Sequence, residues 1–315
     1  MVNDKKTTPP KNIDDLTKDQ KEDIVKLKKI GNEISTIRQK PLLLIFYSRD
    51  NKSSISPDDI FQLEKILEAN IPGGVEDLDV CIQTLGGNAD ISYLLAQLIR
   101  DYCKKMEIFI PNYAYSGGTL ISLSSNCIHL GKTARISPID LQIETRKDGA
   151  SSSFALIDIE QYIDFVQDTA KKFGFDNENK VNYVVPLMRE LIEDHRTPEL
   201  GELYRMKDLS KYHAKILLTN YMFKHDTNRG NRSEVIIKQL TENSPSHDFE
   251  VDWKMAKGIG LKVNLMDEKI YKLLRILMDI SHKLKEHGLI CDFKSNEGRK
   301  PFFEVFFPDK KEVKK

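Results

Sequence analysis

Residues 78–130 read LDVCIQTLGGNADISYLLAQLIRDYCKKMEIFIPNYAYSGGTLISLSSNCIHL, and their pattern decides the class of fold. Residues 78–84, with Leu78, Val80, Cys81 and Ile82, read as a strand that runs into a Gly86-Gly87 pair, which predicts a tight turn. Ile91, Leu94, Leu95, Leu98, Ile99 and Tyr102 then recur at helical spacing. A further strand is predicted over 107–110, followed by a turn of small residues, a short apolar helix at 118–124 and another strand at 127–130. Strand–helix–strand repetition with apolar strands requires parallel pairing and right-handed crossovers, so the predicted class is α/β.

Upstream, Pro41 is followed by LLLIFYS, a continuous apolar run of buried-strand type. Ser56 as N-cap and Pro57 in the first turn predict a helix carrying Ile60, Leu63, Ile66 and Leu67. Residues 1–12 read as a disordered tail. Residues 13–38 read as a charged helix with Leu16, Ile24, Leu27, Ile30 and Ile34 near one face. That stripe is thin, so the helix is expected to pack on the outside of the body or on a partner.

Downstream of Gln142 the pattern turns helical, with helices predicted at 156–173, 179–193, 208–222 and 233–241. Residues 144–153 read as a polar, mobile loop. A long helix at 267–287 has Ile270, Leu273, Leu274, Leu277 and Ile280 as its stripe. It is followed by strand-like runs at 289–293 and 302–307 joined through SNEGRKP, which signals a β-hairpin. The expected organisation is an N-terminal tail and helix (1–40), a central domain (41–265) and a C-terminal helix plus hairpin (266–315).

The 315 residues carry 48 Lys+Arg against 48 Asp+Glu, so no global field draws in nucleic acid or an anionic membrane. With 40% hydrophobic and 30% charged residues, the composition excludes a fibre, a coiled-coil rod and a wholly disordered chain. Cys81, Cys103, Cys127 and Cys291 form no CxxC pair, and the histidines show no H-E-x-x-H spacing, so no metal is expected. The polar N-terminus and the lack of an apolar run of ~18 residues predict a cytoplasmic protein without stable membrane insertion.

Two glycine pairs follow predicted strands. Thr84-Leu85-Gly86-Gly87-Asn88-Ala89 could cradle a phosphate, make a tight structural turn, or polarise a substrate carbonyl with its N–H groups. Neither G-x-G-x-x-G nor G-x-x-x-x-G-K-[ST] is present, which argues against a nucleotide cofactor. In Tyr115-Ser116-Gly117-Gly118, a serine occupies a strand-to-helix turn with a glycine directly after it. Such a turn exposes the hydroxyl, points the next N–H into the same space and lets the helix dipole favour negative charge. The competing reading is an N-cap serine on a buried helix.

The run PNYAYSGGTLISLSSNCIHLGKTARISPIDLQ (residues 111–142) resembles the nucleophile region of the serine dehydrogenase proteinase family, Clp-fold serine peptidases related to signal peptide peptidase A. TLGG at 84–87 resembles that family's T-P-G-G loop, and SHDFEVDWKMAKGIGLKV at 246–263 resembles its T-H-D…A…G-L-x-V segment. The three matches fall in the family's order. The chain departs at Leu85, where the family has proline, and at Ser137 and Leu141 within what is usually G-P-I-D-P-Q. The resemblance implies a ClpP/crotonase-like spiral of ββα units. It implies Ser116 as nucleophile, with Gly117 and Gly87 (or Gly86) N–H groups as the oxyanion hole, and a homo-oligomer acting on protein or peptide substrates without a cofactor.

A serine hydroxyl needs a base. Imidazole suits proton transfer near neutrality, which favours His247. By comparison with the proteolytic subunit of Clp protease, Asp248 falls where that family keeps its triad acid and Asp140 near where it keeps its histidine. A permuted triad of Ser116 and His247 with Asp140 or Asp248 is one expectation. A dyad with Lys171 or Lys172 is another, although both lysines point away from the apolar stripe of the predicted 156–173 helix. The expected activity is therefore that of a serine peptidase working through an acyl-enzyme on Ser116. A non-catalytic Clp-fold scaffold and a crotonase-like acyl-thioester enzyme that would bind coenzyme A remain as alternatives.

Overall fold

All five residues of the LLLIF run, which forms β1 (Leu42–Phe46), are buried, because the strand is covered on both faces. Leu43 and Ile45 face one core while Leu42, Leu44 and Phe46 face a second, the period of two expected of a pleated strand. The computed structural model describes residues 17–49, 54–139, 142–147, 150–155, 197–241, 249–286 and 302–307, with parts of the helical stretch 164–172.

After β1 the chain forms α2 (Asp58–Asn70), β2 (Val75–Gln83), α3 (Ala89–Asp101), β3 (Cys103–Ile110), β4 (Tyr113–Ala114), α4 (Gly117–Ser122), β5 (Cys127–Leu130) and β6 (Arg135–Ile136). The first helix, α1 (Lys18–Arg38), precedes β1. Beyond the hairpin of β7 (Gln142–Lys147) and β8 (Ala150–Ala155) come α5 (Thr197–Leu217), α6 (Arg229–Thr241), α7 (Trp253–Gly258), β9 (Val263–Leu265), α8 (Glu268–Glu286) and β10 (Phe302–Phe306). The main sheet has the order β10-β1-β2-β3-β5-β9. Its pairs are parallel except for β10, which runs antiparallel to β1 at the edge.

A parallel sheet buried on both faces explains why its strands read as continuous apolar runs. Helices α2, α3 and α4 supply Leu63, Leu67, Leu95, Ile99, Leu120 and Ile121 to the first core. Leu27 and Ile34 of α1, Ile270, Leu274 and Leu277 of α8, and Phe306 of β10 complete the second.

A second layer stands on the main sheet. β4 pairs in parallel with β6, Thr84 bridges Ala114, Gly87 bridges Ile55, and Ile136 bridges Val251. A long strand, a short second-layer segment and a helix occur in turn at β2 and again at β3, a ββα repeat within an α/β fold.

Several boundaries differ from the sequence expectation. The helix predicted at 13–38 begins in the described residues at Lys18, where Thr17 and Gln20 form a reciprocal capping box. Ser56 does not cap α2. Pro57 takes the N-cap position, and Asp59, one turn in, accepts the Ser56 N–H at 2.8 Å. The polar segment 144–153 lies in the β7–β8 hairpin, not in a loop. The helix predicted at 208–222 starts at Thr197 and ends in a wide π-helical turn, Leu218–Met222. The tail at 1–12, the helix at 179–193 and the strand at 289–293 lie outside the described residues. Among the described residues no helix is long and apolar enough to cross a membrane.

Candidate active site

β3 delivers the chain to Tyr113–Ala114, and the chain must turn sharply to enter α4. Ser116 stands in that turn with φ 45° and ψ −109°, and Gly118 N–H donates to the Tyr115 carbonyl at 2.7 Å. These angles are those of the first central residue of a type II′ turn, a position that favours glycine. Although Ser116 occupies the N-cap position of α4, its side chain makes no capping hydrogen bond. The residue is half-buried. The capping interpretation is thereby corrected.

The Gly86-Gly87 loop lies against this turn. A Cβ on Gly86, at φ +103°, would stand 2.8 Å from both Ser116 Cβ and the Tyr115 carbonyl oxygen, so the close approach requires glycine. Gly86 and Gly87 are not equivalent. The Gly86 N–H donates to Thr84 Oγ1 at 2.9 Å, and the Gly86 carbonyl accepts the Ile55 N–H at 2.9 Å. Gly87 is exposed, and among the described residues no acceptor takes its N–H or that of Gly117. Gly117 packs so tightly on Ser92 Oγ that a side chain there would collide with it. Asn88 caps α3 directly after the loop, accepting the Ile91 N–H at 3.0 Å.

Sequence reading missed the residues that hold the turn. Ser137 Oγ accepts the Ser116 N–H at 2.7 Å, and Thr119 Oγ1 lies 2.9 Å from both the Ala114 and Ser137 carbonyls. The only signal for Ser137 was its departure from the glycine usual in the resembled motif. Tyr115 donates its hydroxyl to Glu250 at 2.5 Å, and burial, with the Glu250 carboxylate beside it, pushes that phenol well up. Glu250 also lies 3.8 Å from Arg135, while Arg49 stands over the Tyr113 ring at 5.9 Å.

The structure therefore brings Ser116, Gly86, Gly87 and Gly117 together. His247, Asp248 and Asp140 lie outside the described residues. Lys171 and Lys172 are exposed, and Lys171 pairs with Asp168 at 3.2 Å in solvent. Neither lysine stands in a desolvated site.

Residues 58–200 match the model of the ClpP-like SDH-type serine proteinases. The family resemblance is to these SDH-type proteinases. The matched segment holds Gly86, Gly87, Ser116, Gly117 and Ser137 and stops short of His247. Two uncharacterized proteins of Methanocaldococcus jannaschii, MJ1495 and MJ0137, are each 24% identical over 200 residues, 63% of this chain. The alignments take in 56% and 58% of those proteins, so the chain spans little more than half the length of the curated relatives it matches. Among solved structures, a ClpP1 mutant from Listeria monocytogenes aligns over 78% of this chain and 99% of its own at 11% identity, with a TM-score of 0.39. A membrane-bound stomatin-specific protease aligns over 42% and 72% at 19% identity, with a TM-score of 0.26. Methylmalonyl-CoA decarboxylase aligns over 61% and 88% at 12% identity, with a TM-score of 0.28.

Proposed function

We propose that the protein is a serine peptidase whose nucleophile is Ser116. The observation that carries this reading is the turn itself. An uncapped serine sits in a glycine-type conformation beside the Gly87 and Gly117 N–H groups, which no acceptor among the described residues takes. Ser116 Oγ gives its proton to the base and attacks the scissile carbonyl, so that the C–O bond forms and the carbonyl oxygen gains negative charge where those N–H groups can donate. Collapse of the tetrahedral species breaks the C–N bond, the base returns the proton to the departing amine, and an ester remains on Ser116, which water then hydrolyses.

Of the two loop glycines, Gly87 is the better oxyanion donor, because the Gly86 N–H already serves Thr84. His247 is proposed as the base, oriented by Asp248 or Asp140. The solvated state of Lys171 and Lys172 in the structure speaks against a lysine dyad. A cytoplasmic location and a homo-oligomer that walls off the sites belong to the same proposal.

The test is labelling of the full chain with a fluorophosphonate, followed by peptide mapping, alongside Ser116→Ala and His247→Ala. Labelling confined to Ser116 and lost in both variants is expected. Labelling that survives His247→Ala moves the base to a lysine. A folded wild-type protein that takes no label at any pH between 6 and 9 overturns the peptidase reading in favour of a scaffold.

A further inference from the structure

We propose that Ser137 is a positioning residue that locks the backbone of Ser116 in its type II′ conformation; as a statement about reactivity, this rests on Ser116 being the nucleophile.

The peptide plane between Tyr115 and Ser116 decides the matter. For Ser116 to leave positive φ, that plane must rotate, which swings the Tyr115 carbonyl and the Ser116 N–H in opposite directions. Both ends are tied. The carbonyl accepts the Gly118 N–H at 2.7 Å, and the N–H donates to Ser137 Oγ at 2.7 Å. The first bond belongs to the turn and would form around glycine as well. The second reaches across to the residue that follows β6, so it reports how the tertiary structure holds this turn.

Register brings the two serines together. Ala114 pairs with Ile136 in the β4–β6 ladder, so the residues that follow each strand, Tyr115-Ser116 and Ser137, emerge side by side. Ser137 is itself fixed in orientation. Its hydroxyl donates to the Pro138 carbonyl at 2.9 Å, which leaves its oxygen lone pairs for the Ser116 N–H. Its own N–H donates to Thr119 Oγ1 at 3.2 Å, and Thr119 in turn reaches the Ala114 carbonyl at 2.9 Å. Ser137 is only 5% exposed, so bulk water is poorly placed to replace a lost partner. Glycine at position 137, the residue usual in the resembled motif, would keep the N–H bond to Thr119 but could supply neither hydroxyl bond, to the Ser116 N–H or to the Pro138 carbonyl.

Amide exchange of the wild-type full chain gives the first test. The Ser116 amide is expected to be strongly protected while the exposed Gly87 amide exchanges at close to the free rate. Equal, fast exchange at both overturns the proposal without any variant. In Ser137→Ala the Ser116 amide is expected to exchange at least tenfold faster, with the Leu120 and Leu123 amides of the following helix unchanged. Fluorophosphonate labelling of Ser116 should slow about tenfold. Ser137→Thr keeps the oxygen and should restore both rates, a rescue that a purely space-filling role would not give. Unchanged Ser116 exchange in a folded Ser137→Ala sinks the idea. If wild type takes no label yet exchange responds as described, the nucleophile reading fails and the backbone lock stands.

Discussion

Ser116 holds a side chain where the turn favours none, a strain of about 1–3 kcal/mol for a non-glycine residue. Ser116→Ala keeps that strain, whereas Ser116→Gly releases it at some cost in the unfolded chain. The glycine variant is therefore expected to be the more stable of the two by about 1 kcal/mol, read as a higher urea midpoint. A glycine variant less stable than the alanine one would show that the turn is unstrained. What was legible at this scale was the placement of Ser116-Gly117 and Gly86-Gly87, because few residue types tolerate such turns. The difference between Gly86 and Gly87 was not legible, since it depends on which N–H the Thr84 side chain reaches. Ser137 acts through a ladder register that no local pattern encodes.

Between elements, a group of ionic side chains ties α1 to the sheet. Asp79, Glu107 and Cys127 are register neighbours across β2, β3 and β5, and Arg38 at the end of α1 reaches Asp79 at 2.7 Å and Glu107 at 2.8 Å. Lys40 lies 3.1 Å from Glu107, and His129 Nε2, stacked on Phe109, lies 2.8 Å from it. Burial pushes His129 down, but the neighbouring Cys127 side chain and the hydrogen bond to Glu107 outweigh this and hold it up to about 9. The His129 bond first, then Lys40 and Arg38, bring Glu107 down to about 2 against its desolvation. His129 is raised from 6.5, so its contribution to stability is complete below that pH and lost as pH rises through about 9. Glu107 is depressed from 4.5, so its contribution is present above that pH and lost as pH falls through about 2. The stability gap between wild type and His129→Gln should therefore narrow from pH 6.5 to beyond 9 in urea titrations; a gap that stays constant or widens would exclude the coupling. The sequence placed α1 on the outside from its thin apolar stripe, and Leu27 and Ile34 do pack on the second core. Its ionic anchors were invisible, because their partners lie 41 and 69 residues away. The β7–β8 hairpin was missed for a related reason. Its serines and charges suit a loop by composition, and only cross-strand pairing makes them strands.

Across the whole molecule, the α/β class and the parallel pairing of the central strands could be read from the apolar runs, because a sheet covered on both sides leaves that trace. The place of the last strand could not. Pairing with a strand far away in sequence leaves no local mark, and Phe302–Phe306 closes the sheet against β1. Phe306 lies against Gly31 of α1, where any Cβ would run into its ring. Ending the chain at residue 301 removes the buried Val305 and Phe306, worth roughly 1.5–3 kcal/mol each, and uncovers the β1 edge. The shortened protein is expected to unfold at lower denaturant and to associate with rising concentration in light scattering; an equally stable monomer would refute this role for β10. The same pairing sets a timetable for biosynthesis. Leu42 waits for Phe306, and at roughly 5–20 residues per second a ribosome needs on the order of 10–50 s to supply it. Until then the apolar β1 edge is open to other nascent chains, so the danger of misassembly is greatest during translation and ends with the arrival of the final strand.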